Sequence, residues 1–234
     1  MDVLQLRSKE TLDHGDRGWL KARHHFVVSA DGNPANGPLG PLLVWNDDEI
    51  APGTGFGRHS HANMEIVTYV RQGAVTHEDS VGNVGRTVAG DVQVMSAGTG
   101  ISHSEQNRDR DPLKLFQIWL RPRRHGGAPR WDSRKSPKAD RAGRLVELAS
   151  GEPENAEALL IRADARVLGA TLLAGTTLTH ESARYRYAYL APARGVILVN
   201  GQKVAVGDGI AAIDETELTI TAEEDTEFIL VNAA

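Results

Sequence analysis

Two short stretches place metal-binding side chains at a spacing with chemical consequences: His59-Ser60-His61 and His103-Ser104-Glu105. Successive side chains of an extended strand alternate between faces, so residues i and i+2 share one face. Two neighbouring strands of this kind offer three imidazole nitrogens and one carboxylate oxygen to a single divalent ion. Four ligands on one side of an octahedral ion leave about two positions for water, dioxygen or a substrate oxygen, as a catalytic site requires. The donor set suits Fe(II), Mn(II), Ni(II), Cu(II) or Zn(II). The chain has no cysteine, which excludes disulfides, iron-sulfur clusters and cysteine nucleophiles and leaves only His, Asp and Glu to hold a metal. A lone His-x-His pair fits a solvent-facing strand edge equally well. The second pair, following the Gly-rich segment Ser96-Ala97-Gly98-Thr99-Gly100-Ile101-Ser102, favours the metal site.

Strands must position these donors, and the sequence is punctuated for strands. With 24 Gly and 10 Pro in 234 residues, short apolar or alternating runs lie between turn residues at Gly18 to Val28, Leu42 to Asn46, Glu65 to Arg71, Asp91 to Ser96 and Leu113 to Leu120. The last is apolar enough to be buried on both faces. From Arg121 to Arg144, Pro and Gly accumulate among nine Arg and Lys residues without apolar period, which predicts a connection between two halves. Further strands are expected at Arg144 to Leu148, Val167 to Leu173, Tyr185 to Leu190, Val196 to Val199, Leu218 to Ala222 and Phe228 to Val231, with a type I′ turn at Asn200-Gly201 and a helix only at Glu152 to Ala158. Arg86-Thr87-Val88-Ala89-Gly90-Asp91-Val92 is echoed by Lys203-Val204-Ala205-Val206-Gly207-Asp208-Gly209. The expectation is an all-β chain of two tandem units: 1–130, a linker at 131–143, and 144–234.

Composition sets the outer bounds. Hydrophobic residues make up 40% and charged residues 24%, values of an ordinary globular protein. A formal net charge of -5 argues against direct nucleic-acid binding, which wants an excess of Lys and Arg. No signal-peptide pattern or membrane-length apolar run is evident, so a cytoplasmic protein without a membrane partner is expected. No long apolar surface strip stands out, and a monomer is expected.

Gly53, His59-x-His61 and Glu65, then Gly90-Asp91, His103 and Asn107, resemble the two cupin motifs. The longer string is more specific: Gly55-Phe56-Gly57-Arg58-His59-Ser60-His61, Met64-Glu65-Ile66-Val67-Thr68-Tyr69-Val70, His77-Glu78-Asp79-Ser80, and the segment from Gly90 to Glu105. It is similar to the pirin family of bicupins, closely from about Arg17 to Leu120 and thinly beyond. The resemblance implies two tandem cupin (jelly-roll-like) β-barrels, the N-terminal one holding a metal and the C-terminal one degenerate. Carried over by position, the metal ligands are His59, His61, His103 and Glu105. Glu65 is then assigned to orienting a ligating imidazole or to a structural role, and His77 and Asp79 to fixing their turn. Val94, where an aromatic or polar residue is common, is expected to alter the pocket wall. In the second half Ile220 and Ala222 fall where His103 and Glu105 would align, so no metal is expected there. His180 is expected at the surface or in a turn.

The resemblance further implies a quercetin 2,3-dioxygenase type of oxidoreductase, opening a flavonol or similar enol-containing aromatic with O2 and releasing carbon monoxide. Glu105 would serve as catalytic base for the substrate hydroxyl. Fe(II) is the expected ion, with Ni, Mn, Cu, Co and Zn as alternatives. Two other readings stay open: a redox-sensing regulatory protein that acts through a protein partner, and a non-redox cupin isomerase.

Overall fold

A computed structural model describes residues 3–30, 32–152, 157–182 and 184–234, and these are predominantly β-strand. The first half contains β1 (Val3–Arg7), β2 (Asp13–Asp16), β3 (Leu20–His24), β4 (Leu42–Ile50), β5 (Gly55–His61), β6 (Glu65–Gln72), β7 (Ala74–Asp79), β8 (Val84–Val88), β9 (Val92–Ser96), β10 (Ile101–Gln106), β11 (Leu113–Leu120) and β12 (Arg130–Arg134). The second contains β13 (Val146–Ser150), β14 (Leu159–Leu160), β15 (Ala165–Leu172), β16 (Thr177–Glu181), β17 (Tyr187–Arg194), β18 (Val196–Val199), β19 (Gln202–Ala205), β20 (Gly209–Ile213), β21 (Glu217–Ala222) and β22 (Thr226–Ala233).

Each half pairs a seven-stranded sheet with a four-stranded one. In the first half these run β12-β9-β6-β11-β4-β3-β2 and β5-β10-β7-β8; in the second, β1-β20-β17-β22-β15-β13-β14 and β16-β21-β18-β19. None of these sheets is closed on itself among the described residues. The two units are therefore cupin-like pairs of facing sheets, not the closed barrels expected. The strand nearest the N-terminus crosses over: β1 pairs with β20 of the second half. Within the stretch expected to connect the halves, β12 joins the first-half sheet along β9.

The alternation of β11 explains the layering. Leu113 and Leu115 pack toward the facing four-stranded sheet with Val75 and Phe56. Phe116, Ile118 and Leu120 point the other way, into a core that also holds Trp45 and Tyr69 from the first half and Val167, Tyr189, Ile229 and Val231 from the second. The strand is apolar on both faces because both are buried. Val94 lies in that same inter-half core and does not line the cavity beside His59 and His61; β9 turns Gln93 and Met95 to the opposite face.

The internal echo is structural as well. Gly90 and Gly207 have φ of 93° and 90°, and the amide after each, of Asp91 and Asp208, donates to Val88 and Ala205 across the same tight turn. Asn200 and Gly201 take the positive φ values, 45° and 84°, of the expected type I′ turn. The helix expected over Glu152 to Ala158 falls largely on 153–156, outside the described residues. No described helix is long and apolar enough to cross a membrane.

Candidate metal centre

The four-stranded sheet of the first half brings the sequence-predicted histidines together. β5 and β10 are antiparallel neighbours with His59 opposite His103 and His61 opposite Ile101, so the three imidazoles share the inner face. Their ring centroids lie 4.5 to 5.1 Å apart, and one donor atom from each falls within 4.8 Å of the others. A bulge between His103 and Glu105 shifts the register against β5. Glu105 stays inward and opposite His77 of β7, and its carboxylate forms a second group, with His103 and His77, also within 4.8 Å.

Hydrogen bonds fix which ring nitrogen is free. His59 Nδ1 lies 2.7 Å from the Gly57 carbonyl oxygen, an acceptor only, so Nδ1 carries the proton and Nε2 a bare lone pair. Asp79 Oδ2 is 3.1 Å from His77 Nε2, which makes Nε2 the donor and leaves His77 Nδ1 to accept from His103 Nδ1 at 3.5 Å. That leaves His103 Nε2 unprotonated as well, and it faces His59 Nε2 at 3.1 Å. His61 Nε2 is buried without any hydrogen-bond partner. Burial lowers the pKa of His103 to about 3 and of His61 to about 4, and the neighbouring imidazoles reinforce both shifts. Converging lone pairs repel one another unless a cation sits among them. The donor set and the Nε2 lone pairs of His59 and His103 therefore fit a divalent metal.

Glu105 is held by residues that the sequence reading did not single out. Gln93 Nε2 donates to its Oε1 at 2.8 Å and Gln117 Nε2 to its Oε2 at 2.6 Å. Each amide is itself oriented, since Thr87 donates to Gln93 Oε1 and Trp119 Nε1 to Gln117 Oε1. Burial pushes the Glu105 pKa up to about 7 against these hydrogen bonds and that of Thr68. The signal in the sequence was a lone amide inside an otherwise apolar run, Val92-Gln93-Val94-Met95 and Phe116-Gln117-Ile118.

Other expectations resolve differently. Glu65 faces away from the imidazoles, accepting from Ser96 Oγ at 2.6 Å and from the Arg162 amide of the second half at 3.0 Å. It is structural and orients no ligating ring. Asp79 does cap its turn, through Val81 and Asn83, while also holding His77, whose ring stacks on Trp131 at 4.9 Å. Ile220 and Ala222 are buried in the apolar core of the second half, which has hydrocarbon where the first has donors. His180 is half-buried on β16 and bonds Asn232 at 2.7 Å; it is not a surface or turn residue.

The comparisons with known proteins agree with this geometry. The sequence model described as Pirin matches residues 5–120, and one described as Quercetinase C-terminal cupin domain matches residues 148–233. A pirin-like protein of Caulobacter vibrioides is 56% identical over 225 residues, 96% of this chain and 97% of its own length. Quercetin 2,3-dioxygenase of Escherichia coli K12 is 35% identical over 229 residues, 97% of each chain. The crystal structure of the bacterial pirin YhhW from Escherichia coli, in complex with nickel(II), superposes with a TM-score of 0.91 at 34% identity over 99% of both chains. Sequence, fold and the imidazole cluster converge on one conclusion: this chain belongs to the pirin family of the cupin superfamily.

Proposed function

We propose that this protein is a metal-dependent dioxygenase of the quercetin 2,3-dioxygenase type, which opens the ring of a flavonol or a similar enol-containing aromatic with O2 and releases carbon monoxide. The observation that carries the reading is the convergence of three imidazoles, His59, His61 and His103, on one point, two of which, His59 and His61, line a cavity of about 310 Å³ with Phe56 and Trp119. His59, His61, His103 and Glu105 would hold the ion, proposed to be Fe(II). When bound, such a metal supplies Lewis acidity toward a chelating enol oxygen and a route for electrons to dioxygen.

The chain's own residues do the rest. Glu105 takes the proton of the substrate hydroxyl; its carboxylate is aimed by Gln93 and Gln117 and lies beside His103. Asp79 and His77 keep His103 in the tautomer that presents Nε2. Trp119 and Phe56 offer flat apolar surface to an aromatic substrate and displace water from it.

The test is oxygen uptake by anaerobically Fe(II)-loaded protein given quercetin, with carbon monoxide detection and His103→Ala as control. Uptake with carbon monoxide that disappears in the variant is expected. Absence of uptake by protein shown to hold its metal would overturn the assignment.

A further inference from the structure

The cavity lined by His59 and His61 of the four-stranded sheet is lined on the facing sheet by Asp48 of β4. Asp48 lies between Ala22 of β3 and Leu115 of β11 in register, so its strand neighbours on that face are apolar. It is 1% exposed, and neither carboxyl oxygen has a hydrogen-bond partner. The other buried carboxyl groups of the first half are all partnered. Asp47 is paired with Arg71 and Arg23, Glu65 with Ser96, Asp79 with Asn83 and Glu105 with two glutamines. On the same cavity wall Asn46 is engaged by His24 and Gln117 by Glu105 and Trp119. A buried carboxyl group without a hydrogen-bond partner is unfavourable, and a ligand in the cavity would supply the missing bonds.

Resting on the reading of the site as flavonol-cleaving, we propose that Asp48 is its substrate-orienting residue: it binds a phenolic hydroxyl of the substrate other than the one presented to the imidazole cluster, and so selects polyhydroxylated aromatics. A carboxyl group accepts a hydrogen bond from a phenol, which suits the contact.

The experiment compares quercetin with 3-hydroxyflavone, which lacks the additional hydroxyls. Anaerobic equilibrium binding to the Ni(II)-loaded protein is followed by fluorescence quenching, with metal content checked in every sample. Asp48→Leu should weaken quercetin binding about ten- to a hundredfold, the range of a lost buried hydrogen bond to a carboxyl group, and leave 3-hydroxyflavone binding unchanged. Should the Leu variant fail to fold, Asp48→Ala makes the same comparison. Equal weakening of both flavonols, or of neither, while the wild type binds both, overturns the role of Asp48 and leaves the proposed activity standing. A metal-loaded wild type that binds neither flavonol overturns the activity and, with it, this inference.

Discussion

At the scale of single residues, the centre depends on hydrogen bonds one step removed from the donors. His77 links Asp79 to His103 through a hydrogen bond on each ring nitrogen and packs flat on Trp131. His77→Phe preserves the ring and the stacking while deleting both hydrogen bonds. Metal affinity should fall about 10- to 100-fold, as for other lost partners of ligating histidines, in a titration of apo-protein with Ni(II); unchanged affinity would show that His103 needs no orienting partner. The ligand-type residues were legible in sequence because i, i+2 spacing on a strand is a purely local property. His77 was assigned to a turn because its real partner, His103, is 26 residues away and meets it only through the pairing of β7 with β10.

At the scale of elements, β12 closes one side of the site. The stretch from Arg121 to Arg144 has no apolar period, yet Arg130–Arg134 pairs with β9 and delivers Trp131 onto His77. That approach needs Gly85 of β8, where a Cβ would lie 2.1 Å from the Trp131 ring. Gly85→Ala should therefore displace Trp131 and cost about 1–3 kcal/mol, the range for overpacking, measured by urea unfolding with tryptophan fluorescence. An unchanged midpoint and spectrum would mean that the Trp131 stack is not fixed by this contact. A short polar strand gains its place from the neighbour's free edge and one inserted aromatic, and periodicity alone carries no trace of either.

At the scale of the whole molecule, the halves share a core. Phe26, Trp45, Tyr69 and Phe116 pack with Tyr189, Ile229 and Val231, and Arg141 bonds both Tyr69 and Glu227 across the junction. β1 ties the N-terminus to the second half, and buried Arg7 bonds the carbonyl oxygens of His25 and Gly37. Calorimetry should accordingly show one cooperative transition; two separated transitions would show that the halves unfold independently. Arg7 and Tyr189 also surround His25, fully buried and 2.8 Å from the Tyr189 hydroxyl. Burial, then the charges of Arg7, Arg23 and Arg71 and the neighbouring His24, lower its pKa from 6.5 to about 3. The unfolded chain takes up this proton first as pH falls, so the stability His25 contributes is complete above 6.5 and declines toward pH 3. Between pH 7 and pH 5 the wild type should lose about 2 kcal/mol more than His25→Gln in urea titrations. Parallel losses in the two proteins would show that His25 does not control the acid limb.

The sequence by itself determined what depends on neighbours along the chain: strands and turns, the Gly-Asp echo of the two units, and a donor set whose spacing puts His59 with His61 and His103 with Glu105 on common faces. It also placed hydrocarbon side chains, Ile220 and Ala222, at the two second-half positions that align with His103 and Glu105. Only the tertiary structure decided which polar residues inside apolar strands serve the site. Gln93, Gln117 and Asp48 face the first-half interior, whereas Glu65 and Val94 face the other half. Both faces of these strands are buried, so hydrophobicity does not distinguish them; the pairing of sheets into two units stacked on a common core does.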